Sequence, residues 1–88
     1  MSLDDSPLTF PCDFPIKAMG HAHVELDAII VAIVRRHAPD IREGAVTRRY
    51  SSNRKYLSVT VTIQAENRAQ LDAIYHELTA CEHVLMAL

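Results

Sequence analysis

Few glycines and cysteines occur in this sequence, and both shortages exclude kinds of chemistry. Gly20 and Gly44 are the only glycines among 88 residues, so there is no glycine-rich loop to hold a phosphate group. The two cysteines, Cys12 and Cys81, lie far apart and are not spaced as zinc ligands are. In a reducing cytosol we expect both to be free thiols.

An excess of positive charge and a long apolar run are also lacking. The formal net charge is −2, which provides no general attraction to nucleic acid or to an anionic membrane surface. The longest mostly apolar run, Ala28 to Val34, is far shorter than the roughly 20 residues that span a membrane. The segment from Met1 to Pro7 has neither the basic start nor the apolar core of a signal peptide. The sequence therefore predicts a cytoplasmic protein that does not enter the membrane.

What is present is the composition of one small globular domain. Hydrophobic residues make up 49% of the chain and charged residues 23%, which is ordinary for a folded protein and unlike a disordered one. Residues 1–12 contain Pro7 and Pro11 and predict an irregular tail. Residues 13–88 are long enough for one core, with no room for a second domain.

The most regular stretch is Tyr56 to Ala65, in which apolar and polar residues alternate without a break. Because side chains alternate with period two along an extended chain, this stretch predicts a strand with one buried face and one wetter face. The apolar positions are Leu57, Val59, Val61 and Ile63, and the polar positions are Ser58, Thr60, Thr62 and Gln64.

Two segments have apolar residues three and four positions apart, the spacing that places them on one side of a helix. The first runs from His23 to His37 and ends before Pro39, which disfavours helix in the residue preceding it. The second runs from Arg68 to Thr79 or Ala80, with Asn67 as its N-cap. The apolar positions are Leu26, Ile29, Ile30, Ile33 and Val34 in the first segment and Leu71, Ile74, Tyr75 and Leu78 in the second.

Three further segments are predicted to be strands: Asp13 to Gly20, Ala45 to Ser52 and Glu82 to Leu88. The second of these contains Arg48 and Arg49, and charged residues are typical of an edge strand. The complete order is strand, helix, strand, strand, helix, strand. This order predicts an α+β fold, the ferredoxin-like βαββαβ sandwich, with a four-stranded antiparallel sheet and two helices on one face. The first and third strands are expected in the middle.

The turn before the most regular strand consists of Asn53, Arg54 and Lys55. Asn53 is expected to take the left-handed conformation that such turns often need, because asparagine tolerates it.

Short motifs along nearly the whole chain point to one family. They are Phe10-Pro11, Phe14 to Gly20, Arg36 to Pro39, Lys55 to Thr60, Gln70-Leu71 with Tyr75, Glu77 and Leu78, and Val84 to Leu88. Together they resemble the YbeD-like proteins, a family of short bacterial chains with no assigned activity. The turn at Asn53 departs from that family, in which a glycine is expected. The resemblance implies a fold similar to the ACT domains that regulate amino-acid metabolism, but no activity, because a fold alone does not determine function.

Histidines occur in three arrangements that could carry chemistry, and each also has a structural interpretation. His21 and His23 form a His-x-His pair suited to zinc or copper with a third ligand from elsewhere, yet no cysteine lies nearby and no carboxylate has an obvious geometry, so the favoured interpretation is two histidines in a loop that face water. Cys81 and His83 would share one face of a strand, without oxyanion donors or an orienting group. His37 continues the apolar stripe of its helix and is expected to be partly buried and hydrogen-bonded. We predict no catalytic residue, no metal site and no cofactor.

Nucleic-acid binding is the alternative function that the fold raises, since RNA-recognition motifs share this architecture and stack bases on aromatic side chains of the sheet. The outward positions that we identify on the third strand begin at Ser58 and carry no aromatic residue. Cations around the turn are a candidate basic patch, but the favoured interpretation is a set of solvated charges that protect a sheet edge, so nucleic acid is not the expected partner. The patch comprises Lys17, Arg48, Arg49, Arg54 and Lys55.

The predicted last strand is the surface best suited to binding another protein. Both of its faces are apolar, and as an edge strand it would leave backbone groups unpaired. The N-terminal tail is the alternative cover for this edge. The predicted interaction surface comprises Val84, Leu85, Met86 and Leu88, with Val24 and Val31 on the outer side of the first helix.

The sequence thus predicts a non-catalytic regulatory or protein-binding module of the ACT type. Its partner would be another protein or a second copy of the chain. A small-molecule effector would lie at a dimer interface or near Met19, Gly20 and His21, where glycine allows the backbone to approach a ligand closely.

Overall fold

The fold is described by a computed structural model that covers residues 8–22 and 25–88. Its elements follow the predicted order: β1 (Cys12–His21), α1 (Leu26–His37), β2 (Val46–Tyr50), β3 (Tyr56–Ala65), α2 (Arg68–Ala80) and β4 (Val84–Ala87). Within the described residues, no helix is long and apolar enough to cross a membrane.

The strands form one antiparallel sheet in the order β2-β3-β1-β4. β1 and β3 pair along their full lengths, from Cys12 opposite Ala65 to His21 opposite Tyr56. The prediction that the first and third strands are central is therefore confirmed. β2 and β4 are the two edges of the sheet.

Both helices lie on the same side of this sheet and form the core with it. Leu57, Val59, Val61 and Ile63 of β3 are buried, whereas Ser58, Thr62 and Gln64 between them are exposed and Thr60 is partly exposed. Each buried aliphatic side chain contributes about 1.5–3 kcal/mol relative to an exposed one. The fully buried large side chains are Ile16, Leu26, Ile30, Ile74, Leu78, Val34, Val59 and Val61. Among the described residues no buried side chain is polar or charged, so this core holds the layers together by apolar contact.

β1 starts one residue earlier than predicted, so Cys12 lies in the strand and not in the tail. Pro15, within this central strand, lacks an amide proton. The Lys17 N–H donates to the Leu88 carbonyl at 3.2 Å, and the Lys17 carbonyl accepts from the Leu88 N–H at 2.7 Å. Backbone groups two residues apart in a strand point to the same side, so the Pro15 nitrogen also points toward β4. β4 ends before it reaches the position opposite Pro15.

The helices differ in how they begin. The predicted start of α1 at His23, with Val24, lies outside the described residues, and the observed helix begins at Leu26 without a side-chain cap. α2 has the predicted cap: the Asn67 side chain accepts the Gln70 N–H at 2.8 Å. The Gln70 side-chain oxygen accepts the N–H of Glu66, the residue before the cap, at 2.8 Å, one position earlier than in a capping box.

The turn between β2 and β3 corrects one prediction. Arg54, not Asn53, has the left-handed conformation, with φ of 57°. The Asn53 side chain instead accepts hydrogen bonds from Ser51 Oγ at 2.8 Å and from the Lys55 N–H at 3.1 Å. The Arg54 N–H donates to the Ser51 carbonyl at 2.9 Å, which closes the turn and places the positive φ at Arg54.

Replacement of Arg54 tests this strain. Arg54→Gly is expected to be more stable than Arg54→Ala by about 0.5–1 kcal/mol in urea denaturation. The left-handed conformation costs a residue with a Cβ about 1–2 kcal/mol, which exceeds the extra chain entropy of glycine, about 0.4–1 kcal/mol. At Lys55, where φ is not positive, the same pair of replacements should give the opposite order. Equal stability of the two Arg54 variants would contradict the assignment.

Gly20 is the point at which β4 begins to pair with β1. A Cβ on Gly20 would lie 2.2 Å from the carbonyl oxygen of His83 and 2.9 Å from Cδ2 of Leu26. The pairing register also shifts here, since Met19 faces Met86 while Gly20 faces Val84. The missing side chain lets the entry to β4 and the first turn of α1 meet over β1.

Gly20→Ala is therefore expected to destabilise the fold by about 3 kcal/mol in urea denaturation, because the obstructing atom belongs to the backbone and cannot rotate away. Gly44→Ala is the matched control: Gly44 has φ of 82° but nothing within 4 Å of its added Cβ. Its loss should be about 0.5–1 kcal/mol, the cost of the left-handed conformation less the lower chain entropy of alanine. A Gly20→Ala loss no larger than that of the control would show that β4 can move aside.

Candidate binding surface

The sheet surface turned away from the helices, called the open face below, carries the side chains that alternate with the core. Lys17 on β1 pairs with Thr60 on β3, and Met19 pairs with Ser58, so these side chains share the open face. Residues contributed by the four strands form successive rows across it. The open face comprises Asp13, Pro15, Lys17, Met19 and His21 of β1, Thr47 and Arg49 of β2, Tyr56, Ser58, Thr60, Thr62 and Gln64 of β3, and Met86 of β4, followed by Leu88.

Two rings lie next to each other where the open face meets the β2-β3 turn. The ring centroids of His21 and Tyr56 are 5.3 Å apart with the planes at 30°. Lys55 Nζ lies 5.6 Å from the centroid of the Tyr56 ring. The Ala22 N–H donates to the Lys55 carbonyl at 2.9 Å, which fastens the end of β1 to the turn.

Tyr56 is the residue of this surface that sequence reasoning missed. The outward positions of β3 were counted from Ser58, although Tyr56 precedes it by two residues and has the same orientation. The alternation of β3 already contained this signal. The open face therefore carries an aromatic side chain at its turn end.

The cations predicted to form a basic patch are divided between the two sides of the sheet. Arg48 faces the helices and contacts Asp27 of α1 at 2.9 Å. Arg54 lies over the ring of Tyr50, with its Cζ 4.4 Å from the centroid. The other three cations, Lys17, Arg49 and Lys55, lie on the open face or at its turn end.

A shallow groove of about 600 Å³ lies at the opposite end of the sheet. The end of β3, the start of β1 and the loop after α1 form its walls. The charged residues that line it are acidic, except for Arg42. The acidic lining residues are Asp13, Asp40, Glu43 and Glu66. The two ends of the sheet thus differ in the sign of their charge.

The predicted apolar interaction surface is exposed along β4. Leu85, Met86 and Leu88 have 52%, 51% and 69% of their surface exposed. Val84 and Val31 are partly buried against the core, and Val24 lies outside the described residues. We call Leu85, Met86 and Leu88 the β4 strip. The predicted alternative cover for it is the N-terminal tail, residues 1–12, of which residues 1–7 are likewise outside the described residues, while Leu8 and Phe10 pack against the core.

The predicted effector residues do not form one surface. Met19 and His21 lie on the open face, whereas Gly20 faces the helices and is buried. The close approach that Gly20 permits is to the His83 carbonyl and the Leu26 side chain of the same chain. A ligand near Met19 and His21 would contact the open face and not the space at Gly20.

α1 and α2 are joined by polar contacts at one end of the helix layer. His37 Nε2 lies 2.9 Å from Glu77 Oε1, and Arg36 also contacts Glu77. Gln70 Nε2 donates to the His37 carbonyl at 2.9 Å, which bonds the end of α1 to the start of α2. The prediction of a partly buried, hydrogen-bonded His37 is confirmed. Its partner orients it between two helices, which is a structural role.

Cys81 and His83 do not share a strand, which corrects the premise of the thiolate-imidazole alternative. Cys81 is the C-cap of α2, and its carbonyl accepts the Val84 N–H at 3.1 Å in the turn before β4. His83 lies 3.5 Å from Glu82. Within residues 8–22 and 25–88, no group of three or more histidine, cysteine, aspartate or glutamate side chains is arranged to hold a metal ion. His23 is not among those residues.

Tyr75 connects α2 with the end of β4. Its hydroxyl donates to the Leu88 carbonyl, and its ring meets Phe14 edge-on at a centroid distance of 6.5 Å. Burial raises the pKa of the Tyr75 phenol, because the ionised form loses solvation.

The raised pKa of Tyr75 predicts a loss of stability at high pH. The stability gained from a protonated Tyr75 phenol is fully present below the pKa of tyrosine in the unfolded chain, about 10. It is lost as the pH rises from there through the higher pKa of the folded state. Tyr75→Phe is expected to cost about 1 kcal/mol at neutral pH and to lose less stability than the original chain above pH 10. Urea denaturation from pH 7 to 11 measures this difference. Tyr50→Phe, at an exposed ring, is the control; an unchanged slope in Tyr75→Phe would refute the role of burial.

The packing of two helices on one face of a four-stranded antiparallel sheet defines a ferredoxin-like α+β domain. The family of proteins of unknown function DUF493 matches residues 5–88. The chain belongs to this family, which confirms the resemblance to the YbeD-like proteins.

Relatives and a solved structure agree with this assignment. A UPF0250 protein of Neisseria gonorrhoeae is 43% identical over 94% of this chain and 91% of its own length. One from Chromobacterium violaceum is 47% identical over 90% and 89%. The solution structure of protein HP0495 from H. pylori matches with a TM-score of 0.72 at 14% identity, over 100% of this chain and 94% of that one. The names of these proteins state no activity, and the last similarity shows the fold alone.

Proposed function

We propose that this protein is a non-catalytic regulatory module that binds another protein along β4. The observation that supports this most is the exposure of the β4 strip. Of the large hydrophobic side chains that are exposed in the described part of the chain, Leu85, Met86 and Leu88 lie together, and the fourth is Tyr50 on the other edge strand. Apolar side chains gathered at an edge lower the free energy when a partner covers them.

The two edges of the sheet are unequal as binding sites. β2 carries Arg48 and Arg49, whose charges oppose the addition of another strand. β4 has no charged residue, and among the described residues no strand pairs with its outer side. An extended peptide could therefore add to β4 as a fifth strand, with backbone hydrogen bonds for affinity and apolar contacts for specificity.

The size of β4 favours a different protein over a second copy. β4 has four residues, and pairing of β4 with itself would bury little of the roughly 1,200 Å² that a specific interface needs. A longer partner segment can continue past the strand onto Met19 and Leu88 of the open face. Met19 and Met86 face each other there, and flexible methionine side chains suit contact with a partner of irregular shape.

The proposal also assigns this module a regulatory role. This role is supported by analogy with ACT domains, which share the ferredoxin-like fold. An effector near Met19 and His21 would lie on the same face as the proposed partner. Binding of one would then affect the other through direct contact.

Photo-crosslinking in cells tests the docking surface. A benzophenone side chain at Leu85 is expected to form an adduct with one protein, and Met86→Lys in the same chain should abolish it. Surface replacements such as Met86→Lys change the free energy of unfolding by no more than about 0.5 kcal/mol, so loss of the adduct would report loss of contact. The crosslinked peptide of the partner should alternate apolar and polar residues.

The same crosslinker at Tyr50 provides the control, because Tyr50 is exposed on the opposite edge. An adduct of twice the chain mass would show that the occupant is a second copy and contradict the choice made here. Equal adducts from Leu85 and Tyr50, or none from Leu85, would overturn the proposal.

A further inference from the structure

The turn end of the open face combines two rings with three cations. His21 and Tyr56 lie with their rings 5.3 Å apart, and Lys55 Nζ lies over the Tyr56 ring. Arg49 stands in the next row, opposite Ser58, and Lys17 in the row after that, opposite Thr60. We call these residues the ring-cation cluster.

In the described part of the chain, no carboxylate forms an ion pair with a cation of this cluster. On the helix side of the sheet, by contrast, Arg48 is paired with Asp27 and Arg36 with Glu77. The strands carry one acidic residue, Asp13, which lies four rows from the ring pair and two rows from Lys17, at the acidic end of the sheet. A chain with a net charge of −2 therefore has a locally positive surface.

From this arrangement we infer a binding site for single-stranded nucleic acid, which goes beyond the proposed protein-binding role. Bases stack on aromatic and histidine side chains, and lysine and arginine contact the phosphates. Ser58 lies in the row of Arg49 and Thr60 in the row of Lys17, and both supply hydroxyl groups for hydrogen bonds to phosphate or sugar. The site makes no use of a glycine-rich loop.

The spacing of the cluster favours a strand over a single nucleotide. Arg49 is one row and Lys17 two rows from the ring pair. At about 3.4 Å per residue, two rows correspond to roughly 14 Å along β3. A ligand that contacts the rings and both cations must extend over this distance, as a chain of nucleotides does.

Fluorescence anisotropy with the full chain and a labelled single-stranded RNA oligonucleotide tests the ring contact. Tyr56→Leu keeps an apolar side chain but removes the stacking surface, and it is expected to raise Kd about tenfold. Tyr50→Leu removes an aromatic side chain from the other side of the sheet and should leave Kd unchanged. Circular dichroism of both variants establishes that they fold.

Two arginines that follow each other in β2 provide a matched test of the cations. For the original chain, log K should fall with log salt at a slope of about −2 between about 50 and 200 mM, as expected for three contacts to a single strand. Arg49→Gln on the open face should reduce the slope by about 0.7. Arg48→Gln, on the helix side, should leave it unchanged. If Tyr56→Leu does not fold, Lys55→Gln replaces it as the variant at the turn end of the open face. Lys55 is an exposed turn residue, and its replacement should also reduce the salt slope.

Three results would overturn the inference. The first is an absence of RNA binding at low salt. The second is equal weakening by Tyr56→Leu and Tyr50→Leu, or by Arg49→Gln and Arg48→Gln, which would indicate contact away from the cluster. The third is binding of adenosine monophosphate as tight as that of the oligonucleotide, since the ligand would then be a free nucleotide.

Discussion

Burial of one face of β3 and β1 is the interaction on which the rest of this structure depends. The apolar side chains of β3 alternate with polar ones and so lie on one face of the sheet, which two helices are enough to cover. The other face needs no cover. Stability comes from one side of the sheet. Folding therefore places little constraint on the residues of the other side and of the β4 edge, and selection for binding can determine them.

The placement of charge follows the same division. On the helix side of the sheet, Arg48 of β2 pairs with Asp27 and Arg36 of α1 contacts Glu77, and these pairs join α1 to β2 and to α2. Such partly exposed pairs contribute little free energy, about 0–1 kcal/mol each, but they fix which side chains meet. On the open face the cations collect at the turn end, while the acidic groove is at the other. Overall net charge conceals this separation.

Sequence patterns predicted most of the fold because each element of the core has a strong period of its own. β3 was predicted with its observed ends, and Asn67 as the cap of α2 was confirmed, since both depend on local alternation or local hydrogen bonding. The edge strands were predicted too long. The ends of β2 and β4 depend on where β3 and β1 provide a pairing partner. That information is not contained in the sequences of β2 and β4 themselves.

The binding surface was less predictable, for two different reasons. The side on which each hairpin cation lies depends on the register of β2 with β3, so Arg48 and Arg49 could not be separated before that register was known. The ring pair of His21 and Tyr56 joins residues 35 positions apart in the sequence, and only the pairing of β1 with β3 brings them together. Tyr56 alone, however, followed from the alternation of its own strand.

Gly20 links the core to the proposed docking edge. The His83 carbonyl lies where a Gly20 side chain would be, and directly after it β4 pairs with β1 through a shifted register that leaves Leu85 as an extra residue. The shift puts Met86 beside Met19 on the open face and leaves Leu85 exposed. A bulge of this kind re-aims side chains at an edge. The exposure of the β4 strip is therefore a consequence of how tightly β4 enters the sheet, and any change that moves the His83 carbonyl away from Gly20 would alter which apolar side chains the edge presents.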